Sequence, residues 1–129
     1  KDDARATLDA YLRTHPEDTG GMNNAMLAVL AADRRDLSLM SSLISRAQEK
    51  GKGFGHFHHT AFTIARAYAL AGQAPEAVRW LEQTAADGYP CYPVFAQDSA
   101  LDPIRRDAAF QQFLSVQRTR WEALKQLAP

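Results

Sequence analysis

The residues best suited to chemistry sit together in the run His56-Phe57-His58-His59. His56 and His59 fall three apart at the start of an expected helix, a spacing that lets two imidazoles share a metal ion. The remaining soft ligands, His15 and Cys91, stand at no motif spacing from that pair. The rest of a coordination shell is therefore missing, and capping, packing and groove lining account for the cluster. Cys91 read as a nucleophile would need one of these histidines as base, but no Asn or Asp orienter can be placed, and the flanking Pro90 and Pro93 suit a packed turn. The paired acids Glu17 and Asp18 lie in a polar loop, where solvation explains them. Gly51, Gly53 and Gly55 are followed by no Lys-Ser/Thr and preceded by no strand, so they do not cradle a phosphate. The expectation is a chain with no catalytic residue, no metal and no cofactor.

Charge and composition narrow the partners. Lys plus Arg (15) equals Asp plus Glu (15), so binding to nucleic acid or to a membrane surface would need a local patch. The densest candidate, residues 104–129, sets Arg105, Arg106, Arg118, Arg120 and Lys125 against Asp107 and Glu122, a net of +3. That balance suits a solvated helix face, and neither nucleic acid nor membrane is an expected partner. No stretch approaches the roughly 18 apolar residues of a membrane helix, and Lys1-Asp2-Asp3 lacks the apolar core of a signal peptide. The single cysteine cannot close an internal disulfide. Cytoplasm is the expected compartment, and a start at Lys1 rather than methionine points to a piece of a longer chain.

Any site must be positioned by helices. Alanine occurs 23 times and leucine 13, against seven Val plus Ile, a strong intrinsic bias toward helix over sheet. The 129 residues fit one domain with a core of its own. Ala4, Leu8, Tyr11 and Leu12 form one stripe over 2–14, closed by His15-Pro16. Met22, Met26, Val29 and Leu30 mark a second helix over about 21–33. Leu39, Met40, Leu43, Ile44 and Ala47 mark a third over 37–50, ended by Gly51 as a left-handed cap. Ala61, Ile64, Ala65, Tyr68 and Ala69 share a face over about 56–71, and Gly72 closes that fourth helix. The fifth carries Pro75 in its first turn and runs through Ala77, Val78, Leu81 and Thr84 to Gly88. Prolines and aromatics break residues 89–106 into a turn segment. The last helix, about 107–127, starts at an Asp107 cap and presents Phe110, Phe113, Leu114, Trp121 and Leu124 to the core. Tyr89, Tyr92, Phe95, Phe110, Phe113 and Trp121 are expected to seal the open end of the last helical hairpin.

The pattern repeats at a spacing of 37 residues: Leu27 pairs with Ile64, Ala28 with Ala65, Ala31 with Tyr68, Met40 with Ala77, Ile44 with Leu81 and Gly51 with Gly88. Ile64, Ala65, Tyr68, Gly72, Ala77 and Leu81 resemble the tetratricopeptide repeat, in which small residues let the helices of a hairpin approach and large ones fill the space around them. The first unit departs from that pattern with Arg35 in place of glycine and Met40 in place of alanine; in the second, Thr84 takes a small-residue position. Gly88-Tyr89-Pro90, Phe95, Asp98, Leu101-Asp102-Pro103, Arg105, Asp107 and Phe110 resemble the closing segment of tetratricopeptide arrays attached to bacterial signalling proteins. The resemblance covers about residues 22–122. It implies an all-α, right-handed helical array of about six helices in one domain. Its parts are an N-terminal helix (1–15), a degenerate hairpin (21–51), a repeat hairpin (56–88), the turn segment (89–106) and a capping helix (107–129).

The resemblance also implies a function. In such arrays the first helix of each hairpin lines a concave surface. By position that gives Met22, Met26, Val29 and Asp33 in the first unit, and His59, Phe62, Thr63, Arg66 and Leu70 in the second. The expected role is a protein-interaction scaffold taking a peptide or a neighbouring domain on this surface, with Phe62 and the methionines as anchors and Arg66 pairing a carboxylate. The N-terminal helix lying across the surface would instead make these residues core. A symmetric homodimer hiding the groove is the alternative role, and a metal- or thiol-dependent enzyme at His56/His59 or Cys91 the more distant one.

Overall fold

The computed structural model describes residues 2–127. Lys1, Ala128 and Pro129, the outermost residues of the expected end segments, lie outside the described part. Seven α-helices and one 3-10 segment follow one another: α1 (Asp2–Thr14), α2 (Met22–Asp33), α3 (Leu37–Lys50), α4 (Phe57–Leu70), α5 (Ala74–Ala86), α6 (Tyr92–Gln97), the 3-10 segment (Ser99–Ile104) and α7 (Ala108–Leu127). No strand occurs among the described residues, so the chain is all-α as its alanine and leucine content predicts. The expected count of about six helices is low because residues 89–106 are more regular than their prolines suggest. Pro93 falls in the first turn of α6, where no amide hydrogen is needed, and Pro103 is accommodated in the 3-10 segment.

α4 is the central element: it packs on α2, on α5 and on the 3-10 segment, while α2 also packs on α3. Close approach follows from residue size. Ala25, Ala28 and Ala32 on α2 and Ala61, Ala65, Ala67 and Ala69 on α4 are all fully buried, and Ile44, Ile64 and Leu81 fill the spaces around them. Thr84, at a position where a smaller residue is expected, is also fully buried; its hydroxyl donates to the Trp80 carbonyl at 2.8 Å, which removes the cost of burying it.

Two turns 37 residues apart share one backbone geometry. At the end of α2, Arg35 N–H donates to the Ala32 carbonyl and Asp36 N–H to Ala31; at the end of α4, Gly72 N–H donates to Ala69 and Gln73 N–H to Tyr68. Both are the paired bonds that close a helix through one left-handed residue. That residue is Gly72 (φ 76) in the second turn and Arg35 (φ 62) in the first. Arg35 thus bears the steric cost that glycine avoids. Arg35→Gly is expected to raise stability by about 0.5–1 kcal/mol, read as an upward shift of the urea midpoint; a lower midpoint would mean that the arginine side chain contributes more than its backbone costs.

Gly51 departs from expectation. Its φ is −83, not left-handed, and what the glycine supplies is space: a Cβ there would lie 2.1 Å from the Phe57 ring, which would have to shift. The acids of the first loop also need correction. Asp18 is 3% exposed, and solvation does not explain it. Its carboxylate accepts the backbone N–H groups of Asn23 (3.1 Å) and Asn24 (3.0 Å) and both side-chain amides (2.9 and 2.6 Å). These are the second and third residues of α2, whose orphan donors an N-cap side chain normally takes. Gly21, the residue at the cap position, has no side chain to do so.

At the other end, Arg105 fastens the closing segment. Its guanidinium donates to the Ala96 carbonyl (2.6 Å), the Asp98 carbonyl (3.0 Å) and the Asp102 carboxylate (2.5 Å), bridging α6 to the 3-10 segment. Asp107 caps α7 as expected, accepting from Ala109 and Phe110 N–H. The C-terminal half of α7 does not reach the core: Leu124 is 55% exposed and Trp121 only half-buried. The reason is length. α7 has 20 residues and its partner α5 has 13, so at about 1.5 Å per residue α7 overshoots by roughly 10 Å.

Candidate functional site

Two places gather candidate functional side chains, a cleft on α2 and α4 and an imidazole cluster at the start of α4. The cleft is walled on its third side by α1. Leu8 and Leu12 pack against the core although no residue of α1 is fully buried. Asp2 pairs with Arg34 at the end of α2, while Leu12 and Arg13 sit beside Asn24 and Leu27 near its start. α1 therefore runs antiparallel to α2. Tyr11, expected on the buried stripe, is 47% exposed and stacks on His15 at 4.2 Å.

Between α1, α2 and α4 remains a cavity of about 410 Å³, lined by Ala4, Thr7 and Leu8, by Met26, Val29 and Leu30, and by Thr63 and Arg66. Its walls are apolar apart from the two threonines and the arginine. Met26 is 45% exposed there. α1 forms a wall and leaves this space open.

The nine residues expected on the concave surface divide by location. Met26, Val29, Thr63 and Arg66 line the cleft. Met22 adjoins it, since its sulfur lies 3.6 Å from the Thr63 hydroxyl, which donates to the His59 carbonyl at 3.0 Å. His59 and Phe62 belong to a ring cluster: Tyr89 lies 5.4 Å from His59 and 6.1 Å from Phe62, and Phe62 lies 5.7 Å from Phe95. Asp33 is exposed at the last residue of α2, and Leu70, the last residue of α4, packs against the core. Arg66 already has a carboxylate beside it, with Nε 3.1 Å from Asp98 Oδ2 in a geometry too far out of line for a hydrogen bond. Asp98 itself starts the 3-10 segment by accepting from Ala100 N–H. Ala4, Thr7 and Leu8 were not legible as lining residues, because the apolar stripe of α1 does not say which helix it lies against.

The aromatic cluster continues from Phe95 to Phe113 (5.3 Å) and on to Phe110 (6.4 Å). Tyr89, Phe95, Phe110 and Phe113 thus form one packing cluster, joined by Phe62; Tyr92 and Trp121 are half-buried.

His56, His58 and His59 converge at the start of α4, with one ring nitrogen of each lying within 4.8 Å of the others. Sequence spacing singled out only His56 and His59. His58 joins them because His56 stands just before the helix, at φ −106 and ψ 27, where the chain is not yet helical. Tyr89 stacks on His58 at 6.0 Å and 10°. His59 is held below the ordinary imidazole range, first by desolvation and then by the neighbouring His58 and His56. Cys91 is half-buried immediately before α6.

Among the described helices none is long and apolar enough to cross a membrane. No protein-family model, no curated protein and no solved structure matches the chain.

Proposed function

We propose that this chain is a tetratricopeptide-like right-handed helical array that serves as a protein-interaction module, with no chemistry of its own, and that it takes an apolar peptide or the helix of a neighbouring domain in the cleft between α1, α2 and α4. The observation that carries the reading is the cleft itself, a space of about 410 Å³ with Met26 and Val29 on one wall and Arg66 at its polar edge. An exposed methionine over an apolar floor adapts to varied side chains, and a carboxylate on the ligand would compete with Asp98 for Arg66. Support for the array comes from the repeated turn geometry at a spacing of 37 residues and from the packing of the first helix of one hairpin on the first helix of the next. The closing segment, with Phe95, Leu101 and Phe110 fully buried and Arg105 fastening it, supports the likeness to terminal segments of signalling-protein arrays.

Selection of peptides from a displayed library against the immobilised domain tests this reading. The selected peptides are expected to share apolar anchors, and Met26→Glu is expected to weaken them at least about tenfold, the equivalent of roughly 1.4 kcal/mol. Because Met26 is 45% exposed, thermal melting should be unchanged. Peptides that bind Met26→Glu as well as the wild type would remove the cleft from the proposal. Light scattering of the free domain checks the homodimer alternative: a dimer dissociated by Met26→Glu would make a second copy of the chain the occupant.

A further inference from the structure

The imidazole cluster lies apart from the cleft lining and has no part in the reading above. Its donors are of one kind. The group that converges within 4.8 Å contains His56, His58 and His59 and no carboxylate or thiol. Tetrahedral zinc at about 2.0–2.1 Å from each nitrogen sets ligand atoms roughly 3.4 Å apart, so the observed separations close by side-chain rotation alone. His56 and His59 are exposed and can make that rotation. His58 is half-buried and parallel to Tyr89, and its Nδ1 is buried with no hydrogen-bond partner, so a rotation of this ring breaks no hydrogen bond at that atom.

We propose that His56, His58 and His59 form a three-imidazole site for a late first-row divalent cation, with Zn²⁺ as the ion that fits the donor set, and with the fourth position left to water. Imidazole nitrogens suit Zn²⁺, Ni²⁺ and Cu²⁺, whereas Mg²⁺ and Ca²⁺ require oxygen ligands that this cluster lacks. The start of α4 places the positive end of the helix dipole nearby, which opposes a cation. A dissociation constant on the order of micromolar is therefore expected, weaker than that of closed structural zinc sites. Tyr89 lies parallel to His58 with ring centroids 6.0 Å apart and limits the tilt of that ring, whereas the hydrogen-bond acceptor that commonly orients a metal-bound histidine does not stand at His58 Nδ1.

Isothermal titration with ZnCl₂, and with Co²⁺ for its visible spectrum, tests the site. The wild-type chain is expected to take one Zn²⁺ and to give the intense absorption of tetrahedral cobalt, while MgCl₂ gives no binding heat. His58→Ala and His59→Ala should each weaken Zn²⁺ at least tenfold, and His15→Ala, which alters the one histidine outside the cluster, should leave it unchanged. Circular dichroism of every variant separates loss of ligand from loss of fold, and His56→Asn, outside the helix, supplies a third variant that spares α4. Millimolar affinity, unchanged binding by His58→Ala, or one Zn²⁺ bridging two chains in a dimer would each overturn a site built within a single chain.

Discussion

Asp18→Ala is expected to lower the folding free energy by about 3 kcal/mol, because it removes an anion that satisfies four donors in a nearly buried place. Loss of an N-cap alone costs about 1 kcal/mol. The rest comes from the Asn24 side chain, 6% exposed and left without its acceptor, and from φ 39 at position 18, which aspartate tolerates better than alanine. The variant should melt about 12 °C lower, taking roughly 4 °C per kcal/mol for a domain of this size. A loss below about 1 kcal/mol in urea denaturation would mean that water replaces the carboxylate at the α2 start.

The same carboxylate carries a pH signature. Burial by itself would raise its pKa, but the hydrogen bonds from Asn24 and Asn23 outweigh burial and hold it below the ordinary value. A carboxyl with a depressed folded pKa stabilises the fold fully above its unfolded pKa of about 4, and this contribution is lost as pH falls through the folded value. The stability gap between wild type and Asp18→Ala should therefore be constant from neutral pH down to about pH 5 and narrow progressively below about pH 4. A gap independent of pH would show that packing, not charge, holds the loop.

Phe95→Ala is expected to cost about 3–5 kcal/mol, the range for a buried aromatic truncated where the surroundings cannot collapse. Phe95 is fully buried and stands between Phe62 (5.7 Å), Tyr89 (6.3 Å) and Phe113 (5.3 Å), so it joins α4, the closing segment and α7. Its removal should loosen α6, the 3-10 segment and α7 before α2 and α3, visible as earlier amide exchange across residues 92–117. Leu124→Ala, at a position 55% exposed on the same α7, should stay within about 0.5 kcal/mol. Equal losses in the two variants would contradict the assignment of the core boundary on α7.

Local chemistry explains what could be read in advance. His15-Pro16, Gly72, Pro75 and Asp107 act within one turn of where they stand, by restricting φ, permitting a positive φ or capping a donor, and the helix limits follow to within about two residues. Arg35 shows the limit of that reading: its type argues against a left-handed turn, yet the turn forms because the packing of α2 on α3 requires it. The candidate site was legible only in part. Met26, Val29, Thr63 and Arg66 share the cleft because helical periodicity puts Met26 and Val29 on one face of α2, and Thr63 and Arg66 on one face of α4. His59 and Phe62, on the first two turns of that same α4, went to the ring cluster instead, since the closing segment brings Tyr89 and Phe95 against them.

By itself, then, the sequence determined the all-α class and the helix limits, because each depends on backbone preferences expressed over a few neighbouring residues. Tertiary structure alone decided that Asp18 is a buried cap and not a solvated loop acid, and that α1 walls the cleft with Ala4, Thr7 and Leu8. It also decided that His58 completes an imidazole cluster with His56 and His59, and that the end of α7 stands clear of the core. Each of these depends on which surfaces meet and on how far a helix extends beyond its neighbour, and periodicity records neither.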